Sequence, residues 1–173
     1  MNKTTPEFSY IVDVRQIPGA GLTLDLQADE TQRKALADRF GLPGINAFFV
    51  HARLKKINKD RIRAEADLTA DVEQICVVSL EKFVQRVQDH FSVVFSHEKD
   101  SSVRLNEIDL DINEEDDVEF LENAKIDIGE LSAEYLSLAL DPFPHAPGAV
   151  FHSESAPETQ KNAFSVLEKL KFK

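Results

Sequence analysis

Tryptophan is absent from this chain, cysteine and methionine occur once each, and glycine occurs only 6 times in 173 residues. Each scarcity excludes something. A single cysteine, Cys76, rules out an intramolecular disulfide framework and fits a reducing compartment. So few glycines leave no glycine-rich phosphate loop, and there is no Gly-x-Ser-x-Gly elbow and no HExxH pair. No apolar run approaches the roughly 20 residues that span a bilayer, and the opening MNKTTPEFSY has no signal-peptide core. A soluble, cytoplasmic protein with no enzymatic activity, no cofactor and no membrane association is expected. Five histidines are present, but none has the close helical spacing of a metal pair, and His90 and His97 stand seven apart. No metal site is expected. The stretch DLDIN (Asp109, Asp111, Asn113) copies the first ligands of a calcium loop, yet Glu114 occupies the glycine position and Phe120 the final glutamate position.

What is present is charge, unevenly placed. Residues 1–90 carry 13 Lys or Arg against 13 Asp or Glu, whereas residues 91–173 carry 7 against 18, so the second half holds the whole net charge of −11. ARLKKINKDRIR, residues 52–63, has six bases and one acid. EIDLDINEEDDVEFLE, residues 107–122, has nine acids and no base.

Periodicity supplies the elements. FSYIVDV alternates through Phe8, Tyr10, Val12 and Val14; LTLDL alternates again after PGAG through Leu22, Leu24 and Leu26, and the pair reads as a hairpin. A short helix follows, with Asp29 as N-cap, Gln32 reaching back in a capping box, and Gly41 then Pro43 as the stop. Apolar residues then fall on even numbers in two long strands: Phe48, Val50, Ala52 and Leu54, and again Ile62, Ala64, Ala66, Leu68 and Val72. Both apolar sets must face one core, so the loop between the strands holds an odd number of residues, and Asn58-Lys59-Asp60 is the shortest natural choice. That register places Arg53 opposite Glu65, His51 opposite Asp67 and Lys55 opposite Arg63. The tip residues Lys55, Lys56, Lys59, Arg61 and Arg63 are then an uncompensated positive cluster, because like charges face one another there. An anionic partner would relieve it.

LEKFVQRVQDHFSVVF fits a helix or a strand by period, and its ending, FSVVF, favours strand. VRLNEIDLDI is a further strand candidate. IDIGELSAEYLSLALD reads as a helix capped by Asp127, with Glu130 completing a capping box and Ile128, Leu131, Tyr135 and Leu138 on its apolar face. Prolines stop it, leaving Pro142, Phe143, Pro144 and His145 on a stiff loop, a candidate partner contact. Residues 142–162 read as loop, and AFSVLEKLK as a last amphipathic helix through Phe164, Leu167 and Leu170. Cys76, in the apolar run ICVV, reads as a small core residue with a raised pKa and low reactivity. The expected architecture is α+β: an antiparallel, hairpin-rich sheet with helices packed on one side and a short C-terminal amphipathic helix. Residues 1–150 form the body, and 151–173 are a linker and helix of the same domain.

ICVVSLEKF, the phenylalanine-rich strand, the acidic stretch, IDIGELSAEYLSLALDPFPHAPG and the terminal NAFSVLEKLK together resemble the YceD family of ribosomal RNA accumulation proteins in its alphaproteobacterial form. The likeness is most specific over 126–148 and in the last helix. It implies a non-enzymatic ribosome-biogenesis factor that supports accumulation of large-subunit (23S) ribosomal RNA, with that RNA or a subunit precursor as partner. Many members carry Cys-x-x-Cys where this chain has Cys76-Val77-Val78-Ser79, and a His and a Cys beyond the proline-rich turn, of which only His145 is present. The acidic run offers a second reading, a holder for a basic ribosomal protein gripped by Glu114, Glu115, Asp116 and Asp117. Nothing in the residues sets an oligomeric state.

Overall fold

The computed structural model of the chain describes residues 6–96, 117–121 and 123–150. Seven strands and two helices make an α+β fold: β1 (Ile11–Asp13), β2 (Leu22–Gln27), α1 (Glu30–Phe40), β3 (Gly44–Lys56), β4 (Arg61–Ile75), β5 (Lys82–Ser96), β6 (Asp117–Phe120), β7 (Lys125–Asp127) and α2 (Ile128–Ala139). The main sheet has the order β2-β3-β4-β5-β6, and β1 pairs with β7 in a small second sheet.

Two-residue alternation dictates the main sheet. Even-numbered Phe48, Val50, Ala52 and Leu54 of β3 and Ile62, Ala64, Ala66, Leu68, Ala70 and Val72 of β4 are all buried. Odd-numbered Val87, Phe91, Val93 and Phe95 continue this inward face on β5. The shift from even to odd follows from the register, which sets Ala66 opposite Phe91. The ambiguous segment is therefore a strand, 15 residues long. Fully burying a side chain such as Phe48 or Leu68 contributes about 2 kcal/mol. Leu36 and Ala37 of α1, and Ile128, Leu131, Ala133 and Leu136 of α2, join the same buried cluster as these strand residues. Tyr135 stacks on Phe91 with ring centroids 4.2 Å apart, and Phe8 tilts against Phe48 at 5.2 Å.

Helix α1 begins and ends as its sequence dictates. Asp29 accepts from the Gln32 amide, Gln32 returns the bond to the Asp29 amide, and Gly41 closes the helix in the left-handed conformation.

Four expectations are corrected. The first two apolar runs do not form a hairpin with each other: β1 pairs with β7, and β2 pairs with β3. Asp13 accepts from the Arg15 amide and caps a 3-10 turn over Val14–Gln16, which breaks the strand before it can return along β2. Alternation identifies a strand but not its partner. Nor is every strand pair antiparallel, because β6 runs parallel to β5. The intervening residues 97–116 are numerous enough for the crossover that a parallel pair needs.

The third correction concerns Glu130. Its carboxylate takes both arms of the Arg39 guanidinium, at 2.9 and 3.0 Å, instead of closing a capping box. Arg39 also reaches Glu7 at 2.9 Å, so one side chain ties α1, the N-terminal segment and the start of α2 together. Fourth, Ile128, Leu131 and Tyr135 of α2 pack on the core as expected, but Leu138 is 78% exposed and Ser132 and Leu136 are buried in its place. Gly129 lets the N-terminal segment lie directly on the start of this helix. A Cβ at 129 would fall 2.7 Å from the Phe8 carbonyl oxygen and 2.8 Å from the Tyr10 nitrogen. Asp127 holds the same segment, accepting from the Tyr10 amide at 2.8 Å and the Ser9 hydroxyl at 2.5 Å.

The expected strand over VRLNEIDLDI, the linker and the C-terminal helix lie outside the described residues.

Candidate nucleic-acid interface

The hairpin tip follows the parity argument residue by residue. Arg53 lies opposite Glu65, His51 opposite Asp67, Lys55 opposite Arg63 and Lys56 opposite Ile62. The Ile57 amide donates to the Arg61 carbonyl at 3.0 Å, which leaves Asn58, Lys59 and Asp60 as the turn. Asn58 Oδ1 accepts from the amides of Asp60 and Arg61 at 2.9 and 2.8 Å, the local bonding that suits asparagine to such a turn. Lys55, Lys56 and Lys59 project into solvent. Arg61 and Arg63 are half-buried, and each takes part in a polar interaction. The exposed charge of the tip is therefore carried by the three lysines.

A cavity of about 340 Å³ opens beside these lysines, on the outer face of the sheet. Arg53, Lys55, Lys56 and Arg63 line it, with Glu65 as its one acid, and the strand start Gly21–Thr23 forms another side. The β2–β3 register places Thr23 opposite Arg53 and brings Gly21 level with Lys55. Gly21 has φ +95, and its Cβ position lies 3.1 Å from the Leu54 carbonyl. A side chain there is excluded, and the depression stays open at that edge.

Further along the outer face the aspartates are hydrogen-bonded in pairs. His51 Nδ1 lies 2.6 Å from Asp25, and His90 Nδ1 lies 2.8 Å from Asp67. The expected register of His51 with Asp67 is present, but His51 bonds Asp25 on its other neighbour, and Asp67 bonds His90. Asp25, His51, Asp67 and His90 thus form one row across four strands. No group of three His, Cys, Asp or Glu among the described residues is placed to hold a metal ion. Beyond this row, Arg86 grips Asp71 through two bonds of 2.8 and 3.0 Å and holds its carboxyl below the usual range.

The other proposed contacts lie elsewhere. Glu114, Glu115 and Asp116 are outside the described residues, while Asp117 opens β6 with its backbone opposite Val93. Pro142, Phe143, Pro144 and His145 sit at the opposite end of the sheet. Val77 donates to the Pro144 carbonyl at 2.9 Å, Gln74 Nε2 donates to the Asp141 carbonyl at 3.2 Å, and Phe143 is 68% exposed. Tip and loop cannot form one site.

Cys76 is where the sequence reading missed chemistry. The thiol is buried, as expected, but its sulfur accepts from the amides of Val78 and Ser79 at 3.4 and 3.3 Å. Hydrogen bonding from the Ser79 side chain, then from the Ser79 and Ala146 backbones, outweighs burial and lowers the pKa to about 6. The turn that aims these amides carries Leu80 at φ 60, a left-handed backbone rare for leucine. Only the small polar residue three places after Cys76 hints at this in the sequence.

The fold and this surface describe an α+β protein with a cation-lined outer sheet edge. The chain belongs to the YceD family: the family model described as large ribosomal RNA subunit accumulation protein YceD matches residues 64–171, more than half of its length. Neither a curated protein nor a solved structure matches the chain. Among the described residues, no helix is long and apolar enough to cross a membrane.

Proposed function

We propose that this protein is a cytoplasmic, non-enzymatic ribosome-biogenesis factor that supports accumulation of large-subunit ribosomal RNA by binding that RNA, or a precursor particle, at the β3–β4 tip. The observation that carries the reading is the cavity lined by Arg53, Lys55, Lys56 and Arg63. A chain of net charge −11 repels phosphate as a whole. At physiological salt that repulsion is screened beyond about 8 Å, so a local cluster can dominate at contact. On the adjoining face Arg86 neutralises Asp71, and Asp25 and Asp67 are held in hydrogen bonds by His51 and His90. The family description supplies the RNA.

Filter binding of large-subunit RNA tests it. Affinity should fall steeply with added salt, as phosphate contacts dictate. Absence of a salt-dependent affinity at low ionic strength overturns the tip as an RNA contact. The acidic-holder reading draws on the nine acids of 107–122, and would show instead as salt-dependent capture of a basic ribosomal protein.

A further inference from the structure

The outer face of β3 carries Phe49, His51, Arg53 and Lys55 in line, every second residue, ending at the tip cavity. Phe49 is 45% exposed, whereas its neighbours Phe48 and Val50 are buried. Its row across the sheet is polar, with Gln27 on one side and Thr69 then Gln88 on the other. Among the described residues, the ring therefore lies in a polar row of the sheet surface. His51 follows it on the same face, held through Nδ1 by Asp25.

Resting on the tip reading, we propose that the ligand is single-stranded RNA laid along β3, with a base stacked on Phe49 and the sugar-phosphate backbone entering the cavity between Arg53, Lys55, Lys56 and Arg63. An aromatic ring beside a cationic groove is the combination that holds unpaired nucleotides, because every base has a stacking face and every linkage a phosphate. From Phe49 to Lys55 the strand rises about 20 Å, room for roughly four nucleotides. Apart from Thr23 and the single acid Glu65, the cavity is lined by aliphatic and cationic groups, four of them cationic and none aromatic, which suits a phosphate and sugar and leaves base stacking to Phe49. A duplex hides its base faces in the stack and would meet the lysines alone. The surface thereby selects unpaired segments.

The test uses the full chain, a short labelled oligoadenylate, and the same strand annealed to its complement. The single strand should bind more tightly than the duplex. Phe49→Ala should weaken the single strand by about ten-fold, the usual loss of one stacked base, with the duplex affinity and the slope against salt unchanged. The natural chain has no tryptophan, so Phe49→Trp installs a unique fluorophore that should retain affinity and be quenched by the single strand only. Unchanged melting of Phe49→Ala shows that the loss is not unfolding. Equal affinity for duplex and single strand, or an unaltered Phe49→Ala, overturns the stacking track. If Lys55→Glu then still abolishes binding, the cationic tip stands without the track; if the parent binds neither RNA at low salt, both fall. Competition by polyglutamate as strong as by RNA at equal charge also overturns the proposal, since only charge is then read.

Discussion

The two ends of the β3–β4–β5 sheet are made from the same strands, yet one presents lysines and the other shelters a thiol. At the tip, three exposed lysines crowd a turn because the register sets Arg63 and Ile62, not an acid, opposite Lys55 and Lys56. At the far end, the 76–81 turn packs against the proline-rich loop, with Ile75, Val77, Leu80 and Phe143 exposed around a buried sulfur. There the side chain is altered by its surroundings, since backbone amides converge on Cys76 and favour its thiolate. The lysines act through their number and exposure, whereas the thiol takes its properties from the geometry around it.

The largest break in this comparison comes from reversing the tip. Lys55→Glu, Lys56→Glu and Lys59→Glu together should lower RNA affinity by about a hundred-fold or more at low salt. Unfolding free energy should change by no more than about 0.5 kcal/mol, as for solvent-facing positions generally. Denaturant titration and filter binding on one preparation check both halves. Loss of fold would mean that the tip is structural, not a free surface.

Next is the frame that both ends share. Gly129→Ala forces a methyl group against the backbone of residues 8–10 and should cost about 3 kcal/mol, measured by chemical denaturation. RNA affinity of the molecules still folded should stay within about two-fold, because the tip belongs to another part of the sheet. A coupled fall in affinity would show that the N-terminal segment supports the tip.

The thiol end responds to pH. Cys76 is lowered from 9.0 to about 6, so the folded state favours the thiolate. A depressed folded pKa contributes stability that is complete above the unfolded pKa near 9 and is lost as pH falls through about 6. Between those values the parent should become more stable with rising pH, and Cys76→Ser should lack that component. Thiolate absorbance should titrate near pH 6 in the parent, and Ser79→Ala should move the midpoint upward, with the tip variant unchanged. A midpoint at the ordinary thiol value would remove the contrast between the ends.

The smallest effect belongs to the acidic run. Replacing Glu114, Glu115, Asp116 and Asp117 by Gln or Asn takes the net charge from −11 to −7. RNA affinity should rise by about two- to five-fold, an effect that vanishes at high salt. If capture of a basic ribosomal protein is instead slowed and RNA affinity is untouched, the holder reading gains and the tip reading loses.

Much of the tip was legible in advance. A period of two fixes which side chains share a face, and parity then sets the turn, so the register of Arg53, Lys55 and His51 came out correctly from residues 48–72 alone. The caps of α1 were equally readable, since Asp29, Gln32 and Gly41 act within one turn of chain. Legibility failed wherever the partner was distant. Tyr10 and Ser9 bond to Asp127, more than a hundred residues away, and nothing local in FSYIVDV distinguishes that partner from LTLDL. Glu130 stood at the right position for a capping box, but Arg39 offers a charged, bidentate bond that a lone amide cannot match.

By itself, then, the sequence determined strand faces, the β3–β4 turn, the first helix and the placement of unlike charges, because each follows from periodicity, local capping or composition over a few residues. Only tertiary structure decided which strand adjoins β1, which residues of α2 are buried, that the depression beside Gly21 lies level with Lys55, and that Cys76 receives amide hydrogens. Those features depend on groups brought together across the chain, and their energies exist only once the intervening residues have folded.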